Sequence, residues 1–367
     1  MVLEELKGSS RDTAIMINRQ RHNISGFEGN GTECREWSDL PVNVLDVIAA
    51  RLDALDQIYF RAVCKNWGQT RRFPVNKTLP WLLEHCWGFD ENVYSVCSFH
   101  RPSANPSHVP YSKIEREEFK VLHGAAICAS KFGWLLLQKS SLSFFYNPYT
   151  KSIIKLPDLN LSFNRTTFSS VPTSPDCFCF AIQSSKNDHR IYLSICHPGD
   201  REWSTLILDG FRRAVEDVVY SNGTFYCVFT RGALGAFRVA DQHWSLLTNR
   251  KPIARALFQS RAHMVASNGE LWLVCPSKGF EVFRFDWSVM TWVQANTLGS
   301  QALFLGCTSL SVSAEGETSG FAERIYYRYG IYSYCYSMET KQRCRCTLYP
   351  RDANGGTERV WIQPPEI

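Results

Sequence analysis

Acidic side chains are the first residues of this chain that could do chemistry, because glycoside hydrolases use carboxylate pairs held at a fixed separation. Asp241 and Asp286 stand at matching places in two similar stretches of sequence. Equivalent positions indicate a repeated structural role, such as capping a turn, rather than one catalytic role. The other candidate acids fall in segments predicted as loops: Asp176, Asp188, Asp200, Glu216 and Asp217. The acids therefore favour a protein that is not an enzyme.

Histidine and cysteine give no stronger chemical signal. The nine histidines are dispersed without paired metal spacing, and His243 and His263, which could face a central channel, are expected to be hydrogen-bonded structural residues. The 14 cysteines are scattered and form no Cys-x-x-Cys motif, which favours buried structural thiols over metal or redox chemistry. Zinc-protease, serine-hydrolase and phosphate-loop motifs are absent from the sequence. We therefore expect no catalytic residue, no metal and no cofactor.

The composition is that of a folded protein with a hydrophobic core. The chain has 367 residues, of which 44% are hydrophobic and 20% charged, and its 23 Phe, 15 Tyr and 11 Trp favour β-rich structure. A net charge of +5 is too small and dispersed for a nucleic-acid-binding stripe. No apolar run approaches the ~20 residues that cross a bilayer, and no secretory signal is recognised at the start. We expect a cytoplasmic and/or nuclear protein that binds neither nucleic acid nor a membrane.

The N-terminal part of the chain divides into a tail and a helical module. Residues 1–35 are mixed in charge and poor in aromatic residues, which predicts a disordered tail. Residues 36–76 predict three short helices. Pro41 suits the first helical turn, Asp53 can cap a second helix, and a third helix is expected to begin at Val63. Because so small a module buries little surface alone, some of its apolar side chains are expected to face a partner, unless they pack on the rest of the chain.

The residues of this module resemble an F-box. The shared features are Leu40-Pro41, an apolar helix after it, and Val63-Cys64-Lys65-Asn66-Trp67 at the end. The resemblance implies that the module docks on a Skp-type adaptor, which links it to a cullin–RING ubiquitin ligase. The matching positions, and hence the predicted adaptor-binding residues, are Leu40, Pro41, Val44, Leu45, Ile48, Leu52, Val63, Cys64 and Trp67. Leu52 and Ile58 are alternative candidates for the module's own core.

Residues 77–367 repeat with a period near 45 residues. Ser221-Asn222-Gly223 and the strand after it match Ser267-Asn268-Gly269, a shift of 46 residues, and each Asn-Gly predicts a tight turn between strands. A unit of this length with about four strands predicts a β-propeller blade, and the segment accommodates about six. Val360-Trp361-Ile362 is expected to return to the first blade and close the ring, whereas residues 300–323 depart from the repeat. The turn spacing disfavours the alternatives, a β-sandwich pair or a β-solenoid.

The predicted fold is mostly β with a small α module: an N-terminal three-helix F-box followed by a β-propeller of about six blades. This combination resembles the plant F-box proteins with a KIB-type propeller, through Pro80-Trp81-Leu82, Asn147-Pro148-Tyr149-Thr150 and the closing Val360-Trp361-Ile362. The resemblance implies the substrate-recognition subunit of an SCF-type (Skp-cullin-F-box) E3 ubiquitin ligase, whose propeller binds an unknown protein target. A ligase-independent protein-binding or regulatory scaffold is the alternative.

Overall fold

The structure is a computed structural model. It describes residues 37–52, 54–70, 79–86, 96–100, 102, 111–113, 122–159, 163–184, 189–210, 212–248, 261–276, 279–349 and 358–364. The predicted tail and Asp53 lie outside these residues.

The described chain begins with helices and continues almost entirely as strands. The helices are α1 (Val42–Ala49) and α2 (Ala54–Ala62), with 3-10 helices at Trp37–Asp39, Trp67–Gln69, Thr230–Gly232 and Gly316–Phe321. The strands up to the middle of the chain are β1 (Trp81–Cys86), β2 (Val96–His100), β3 (Tyr111–Lys113), β4 (Ala126–Lys131), β5 (Trp134–Lys139), β6 (Leu142–Asn147), β7 (Ser152–Lys155), β8 (Arg165–Phe168), β9 (Cys179–Ser184), β10 (Arg190–Cys196), β11 (Ser204–Asp209) and β12 (Val215–Ser221). The later strands are β13 (Thr224–Phe229), β14 (Leu234–Arg238), β15 (His243–Thr248), β16 (His263–Ser267), β17 (Glu270–Pro276), β18 (Phe280–Asp286), β19 (Thr291–Ala295), β20 (Gln301–Phe304), β21 (Leu310–Ser313), β22 (Arg324–Tyr329), β23 (Tyr332–Ser337), β24 (Arg343–Arg345) and β25 (Glu358–Ile362).

The N-terminal module contains two α-helices within the described residues, so the predicted three-helix arrangement is not confirmed. The segment expected to form a third helix from Val63 instead turns and ends in the 3-10 helix Trp67–Gln69. The Arg61 guanidinium explains this local structure, because it donates to the carbonyl oxygens of Thr70 at 2.5 Å and Gly68 at 2.9 Å. Those carbonyls are satisfied by a side chain rather than by a further helical turn.

The strands β1 to β25 form six sheets, which confirms a mostly β fold and a propeller of six blades. Five sheets have four strands, and the sixth has five. The strands nearest the axis contact each other in sequence around the ring: β25, β4, β8, β12, β16 and β21. Each blade packs its apolar side chains against the next blade, which gives separate buried clusters between neighbouring sheets.

The C-terminal strand closes the ring, as the sequence predicted. β25 pairs antiparallel with β1, with Trp361 opposite Leu82. The Trp361 side chain is 1% exposed, and its indole N–H donates to the carbonyl oxygen of Leu305 at 3.0 Å. Because β1 and β25 come from opposite ends of the propeller segment, their pairing joins the two ends within one blade.

The two Asn-Gly pairs form the hairpin turns that the repeat predicted. Asn222 and Gly223 have φ values of 48° and 77°, and Asn268 and Gly269 have 51° and 79°. Two consecutive positive φ values are typical of a two-residue type I′ turn, which favours Asn followed by Gly. These turns connect β12 to β13 and β16 to β17 at one end of the channel.

The irregular stretch at 300–323 corresponds to an altered sixth blade. β20 pairs antiparallel with β21 on one side and parallel with β22 on the other. The chain returns from β21 to β22 through the 3-10 helix Gly316–Phe321. This blade therefore gains a fifth strand, and β21 takes the place nearest the axis.

Candidate functional site

The predicted adaptor-binding residues divide into two groups, of which the first builds the core of the N-terminal module. Leu45 is fully buried and forms this core with Ala49 and Phe60. Four further predicted residues pack against the core and are partly exposed: Leu40, Ile48, Leu52 and Trp67. Leu52 therefore contributes to the module's own core, as the sequence allowed, while the side chain of Ile58 lies outside the described residues.

The second group lies on the surface of the module. Val44 is 40% exposed and Val63 is 62% exposed, while Pro41 is also exposed and Cys64 half-buried. Large apolar side chains at such positions are unfavourable in water unless another surface covers them. These residues share the surface with apolar side chains that the sequence reasoning missed.

The missed residues are three further large side chains of the module that are more than half exposed. Trp37 is 76% exposed, Val47 is 57% exposed and Tyr59 is 53% exposed. The spacing of Val44 and Val47, three residues apart on α1, could have identified Val47 as a surface neighbour of Val44. No periodic signal distinguishes Trp37, because it precedes the first helix.

The end of the module is fastened to its beginning by two side chains of the F-box motif. The amide nitrogen of Asn66 donates to the carbonyl oxygen of Ser38 at 2.7 Å. The indole N–H of Trp67 donates to the carbonyl oxygen of Trp37 at 3.1 Å, and its ring stacks on Phe60 with centroids 4.4 Å apart. These contacts tie the backbone at Trp37, whose side chain is exposed, to the core of the module through Trp67.

The propeller axis carries a second candidate site, made of charged side chains that the sequence had assigned to loops. Glu216 and Asp217 lie instead on β12, next to the axis, and are 9% and 4% exposed. Asp217 accepts from Arg261 at 3.0 Å and from the backbone N–H of Met264 at 2.8 Å. Arg165 donates to the carbonyl oxygen of Glu216 at 2.6 Å. Buried carboxylates are tolerated here because donors from neighbouring blades surround them.

Burial shifts the acid–base behaviour of this axial cluster. It raises the pKa of Glu216, an effect that the nearby N–H of Ala262 and the guanidinium groups oppose. It also lowers the pKa of His263 from its usual 6.5 to about 4, so this imidazole is neutral at pH 7. His263 shares a hydrogen bond with the Ser309 hydroxyl at 3.2 Å, as expected for a structural histidine. His243 does not face the channel, because it begins the outermost strand β15 and is exposed.

The two aspartates at matching sequence positions are exposed and make local contacts. Asp241 forms an ion pair with Arg238 at 2.7 Å, and Asp286 accepts from the backbone N–H of Ser288 at 2.9 Å. Neither is placed as a catalytic pair would be, facing the axis. Within the described residues, no group of three or more His, Cys, Asp or Glu side chains could hold a metal ion.

Most described cysteines form no disulfide, and six of these are buried: Cys177, Cys179, Cys196, Cys227, Cys275 and Cys346. Cys335 and Cys344 form a disulfide between β23 and β24, with Cα atoms 5.4 Å apart. They stand directly opposite each other in the strand register, which brings the two side chains together. This pair is an exception to the expectation of free structural thiols.

A cavity opens at the end of the channel beside the hairpin turns. Its volume is about 220 Å³, and its walls come from the inner strands of several blades and from Gln363, which follows β25. Lys131, at the end of β4, lies in its wall and donates to the carbonyl oxygen of Phe168 at 3.0 Å. No helix among the described residues has the length and apolar character needed to cross a membrane.

Comparison with known proteins identifies both parts of the chain. Residues 37–70 match the F-box domain, and residues 102–342 match the KIB1-4 beta-propeller. F-box protein At3g56470 of Arabidopsis thaliana is 26% identical over 354 residues, which cover 89% of this chain and 88% of the relative. F-box/kelch-repeat protein At1g57790 of the same plant is 27% identical over 350 residues, covering 90% of this chain and 95% of the relative.

Proposed function

This chain belongs to the plant F-box proteins that carry a KIB1-4 β-propeller, and we propose that it is the substrate-recognition subunit of an SCF-type E3 ubiquitin ligase. The F-box binds a Skp-type adaptor and, through it, a cullin–RING ligase. The propeller binds the protein that is to be ubiquitinated. The protein acts in the cytoplasm, the nucleus or both.

The observation that carries this proposal is the apolar surface of the F-box module. Val44 and Val63, two of the predicted adaptor-binding residues, are 40% and 62% exposed, and Trp37 and Val47 of the same module are also exposed. Burying such side chains in an interface contributes roughly 25 cal/mol per Å² of apolar area before the costs of association. The rigid core around Leu45 means that little ordering is required when a partner covers this surface.

The protein contributes binding rather than bond-making chemistry under this proposal. Tethering a target beside the charged ubiquitin carrier raises their effective concentration, and an adaptor that does only this needs no catalytic residue. The buried acids of the axis fit such a role, because Asp217 is engaged by Arg261 and by backbone N–H groups. Their hydrogen bonds join β12 to β16 and so stabilise the ring that presents the target.

The test is co-expression of the full chain with a Skp-type adaptor, followed by size-exclusion chromatography. The wild-type chain should elute with the adaptor as a one-to-one complex. The double variant Val44→Asp, Val63→Asp should elute alone, because two carboxylates would have to be desolvated in the interface. Both residues are exposed, so the module itself should remain folded.

Ile207→Asp is the matched control. Ile207 lies on the outer strand β11 of the propeller and is 53% exposed, which is similar to the two valines of the F-box. This variant should bind the adaptor like the wild type. If the F-box double variant also binds the adaptor normally, the proposed interface is wrong.

The same variant separates the ligase function from a ligase-independent scaffold. A substrate-recognition subunit with the Val44→Asp, Val63→Asp changes should still bind its target but fail to promote its ubiquitination. A scaffold that works alone would keep its full cellular effect in this variant. Complementation of a loss-of-function plant with the wild-type or the variant gene, scored by target abundance, distinguishes the outcomes.

A further inference from the structure

The cavity at the end of the propeller channel is built by several blades together. The β4–β5 hairpin supplies Lys131 and Phe132, β8 supplies Thr167, β12 supplies Tyr220, and β21 supplies Ser311. At about 220 Å³ the cavity is smaller than the pockets that hold drug-sized molecules, so it suits a ligand of one ring and a few further atoms.

Lys131 brings a positive charge to this cavity without a carboxylate partner among the described residues. Its ammonium group has three N–H donors, and the carbonyl oxygen of Phe168 accepts one of them at 3.0 Å. Two other cations of the propeller with little exposure each have a carboxylate partner: Arg261 pairs with Asp217, and Arg359 pairs with Glu84. A partly buried charge without a counter-ion is costly, and an anionic ligand would offset that cost.

Aromatic rings surround the same ammonium group. Its nitrogen lies 4.9 Å from the centroid of Phe132, 5.8 Å from Tyr220 and 6.0 Å from Phe168. Phe132 and Tyr220 both line the cavity, so the charge sits beside flat apolar surface. A ligand that pairs with the ammonium group can therefore stack a ring on an aromatic side chain at the same time.

Polar side chains at the cavity wall complete a site for a carboxylate. The Gln363 side-chain oxygen accepts from the backbone N–H of Phe132 at 2.5 Å, which fixes the side chain and leaves its NH₂ group to donate. The hydroxyl oxygen of Thr308 accepts from the N–H of Ser130 at 3.0 Å, so its own hydrogen is also available. These donors stand in the same cavity wall as Lys131.

From this combination we infer that the channel-end cavity binds a small aromatic monocarboxylate, with the carboxylate on Lys131 and the ring against Phe132 and Tyr220. A single charge is specified because Lys131 is the one charged residue among the described residues that line the cavity. A phosphate dianion would bring a second negative charge that no second cation there balances. The inference goes beyond the ligase proposal and does not depend on it.

The ammonium form needed for this binding is available near neutral pH. Burial lowers the pKa of Lys131 to about 8, which the neighbouring Cys177 sulfur partly opposes. The group is therefore mostly protonated at pH 7, and it also has a larger neutral fraction than an exposed lysine. A larger neutral fraction favours reaction of the Lys131 amine with acetylating reagents, which provides a second measurement.

The test is a titration of the full-length chain with benzoate at pH 7. Binding is measured by isothermal titration calorimetry and by ligand-observed NMR. Binding at roughly 1 mM or tighter is expected for a ligand of this size. Benzamide, which lacks the charge, and propionate, which lacks the ring, should each bind at least ~10-fold more weakly, as should the dianion phenyl phosphate.

Lys131→Met keeps the length of the side chain and removes its charge, and should weaken benzoate binding at least ~10-fold. Lys155→Met is the matched control, because Lys155 is an exposed lysine at the end of β7. It should leave benzoate binding unchanged within about twofold, which is the scatter expected of a remote surface change. Absence of benzoate binding, or equal binding by Lys131→Met, would overturn the inference.

Chemical labelling gives a test on the wild-type chain alone, in case Lys131→Met does not fold. Limited acetylation with mass spectrometry should modify Lys131, and saturating benzoate should slow that reaction at least ~5-fold while leaving Lys155 unaffected. Equal protection by benzamide would show that the charge pairing is wrong. Lack of protection at Lys131 would show that benzoate does not occupy this cavity.

Discussion

The F-box module encloses a small core around Leu45, Ala49 and Phe60 and leaves apolar side chains such as Trp37 in water, whereas the propeller buries most of its large apolar side chains and a group of charged ones as well. Trp361 is 1% exposed and Trp37 is 76% exposed. The same residue type thus stabilises the fold in one region and is available to a partner in the other. The comparison supports the proposal that a partner covers this apolar surface, because so small a module encloses far less apolar area than a propeller does.

Substitutions at the ring closure should lower the stability of the propeller more than the other changes considered below. Trp361→Ala removes a buried ring that packs on Phe304 and Tyr349, together with the hydrogen bond to Leu305. We expect a loss of about 3–5 kcal/mol in the free energy of unfolding, measured by urea titration. Trp287→Ala is the control, since Trp287 is 42% exposed and should cost far less. Equal losses for both variants would mean that the seam does not limit stability.

The two groups of F-box residues can be separated by a pair of alanine variants. Leu45→Ala should destabilise the module by about 2–5 kcal/mol, because Leu45 is fully buried in its core. Val63→Ala should change its stability by no more than about 0.5 kcal/mol, because Val63 lies on the surface. Hydrogen exchange of residues 37–70, followed by mass spectrometry, reports this local stability without requiring the propeller to unfold. Similar protection in the two variants would contradict the division into core and surface.

The axial cluster should make the propeller sensitive to acid through His263. Its pKa is about 4 in the folded chain and near 6.5 when unfolded, so the unfolded chain binds more protons between these values. Stability from this group is therefore present above pH 6.5 and declines as the pH falls toward 4, by up to about 3 kcal/mol. Urea titrations at pH 7 and pH 4.5 should show a smaller acid loss in His263→Gln than in the wild type.

Glu216 acts in the opposite direction, because its pKa is raised in the folded chain. Its contribution favours the folded chain at low pH and is the same in the wild type and in His263→Gln. The difference between the two proteins therefore isolates the histidine. An identical acid loss in both would contradict a buried neutral imidazole.

The smallest effect on stability is expected for an ion pair on the propeller surface. The Arg238 guanidinium lowers the pKa of Asp241 from its usual 3.8 to about 2, and both side chains are exposed. Arg238→Ala should return the titration midpoint of this carboxyl toward its usual value, as measured by NMR with labelled aspartate. The thermal unfolding midpoint at pH 7 should be unchanged, because exposed ion pairs contribute little to stability. A clear drop in that midpoint would show that the surface pair matters more than its exposure suggests.

Several parts of the architecture could be predicted from the sequence because they rest on local rules. The Asn222-Gly223 and Asn268-Gly269 pairs specify tight turns, and their spacing revealed the period of the blades. We could predict that Val360-Trp361-Ile362 forms the closing strand, because a propeller that is not closed would expose strand edges. The order of the F-box motif identified its family without any structure.

The errors concern side chains whose surroundings come from distant parts of the chain. Glu216 and Asp217 looked like loop residues because acids are rarely buried, yet Arg165 and Arg261 from the neighbouring blades lie beside them. Lys131 gave no signal at all, because Phe168 and Tyr220 lie on the inner strands of the next two blades and reach it only when these blades pack together. The predicted third helix is not confirmed, and the sequence could not show how Arg61 binds the carbonyl oxygens of Gly68 and Thr70.

The sequence alone determined the kind of protein: an F-box motif, a repeat of about 45 residues, and turns that specify strands between them. These features depend on residues close together in the chain, where spacing and backbone preference decide the outcome. Only the tertiary structure decided which apolar residues of the F-box are core and which are surface, and which charged side chains meet at the axis. Burial and pairing depend on groups more than forty residues apart, such as Asp217 and Arg261, which the packing of two adjacent blades brings to 3.0 Å.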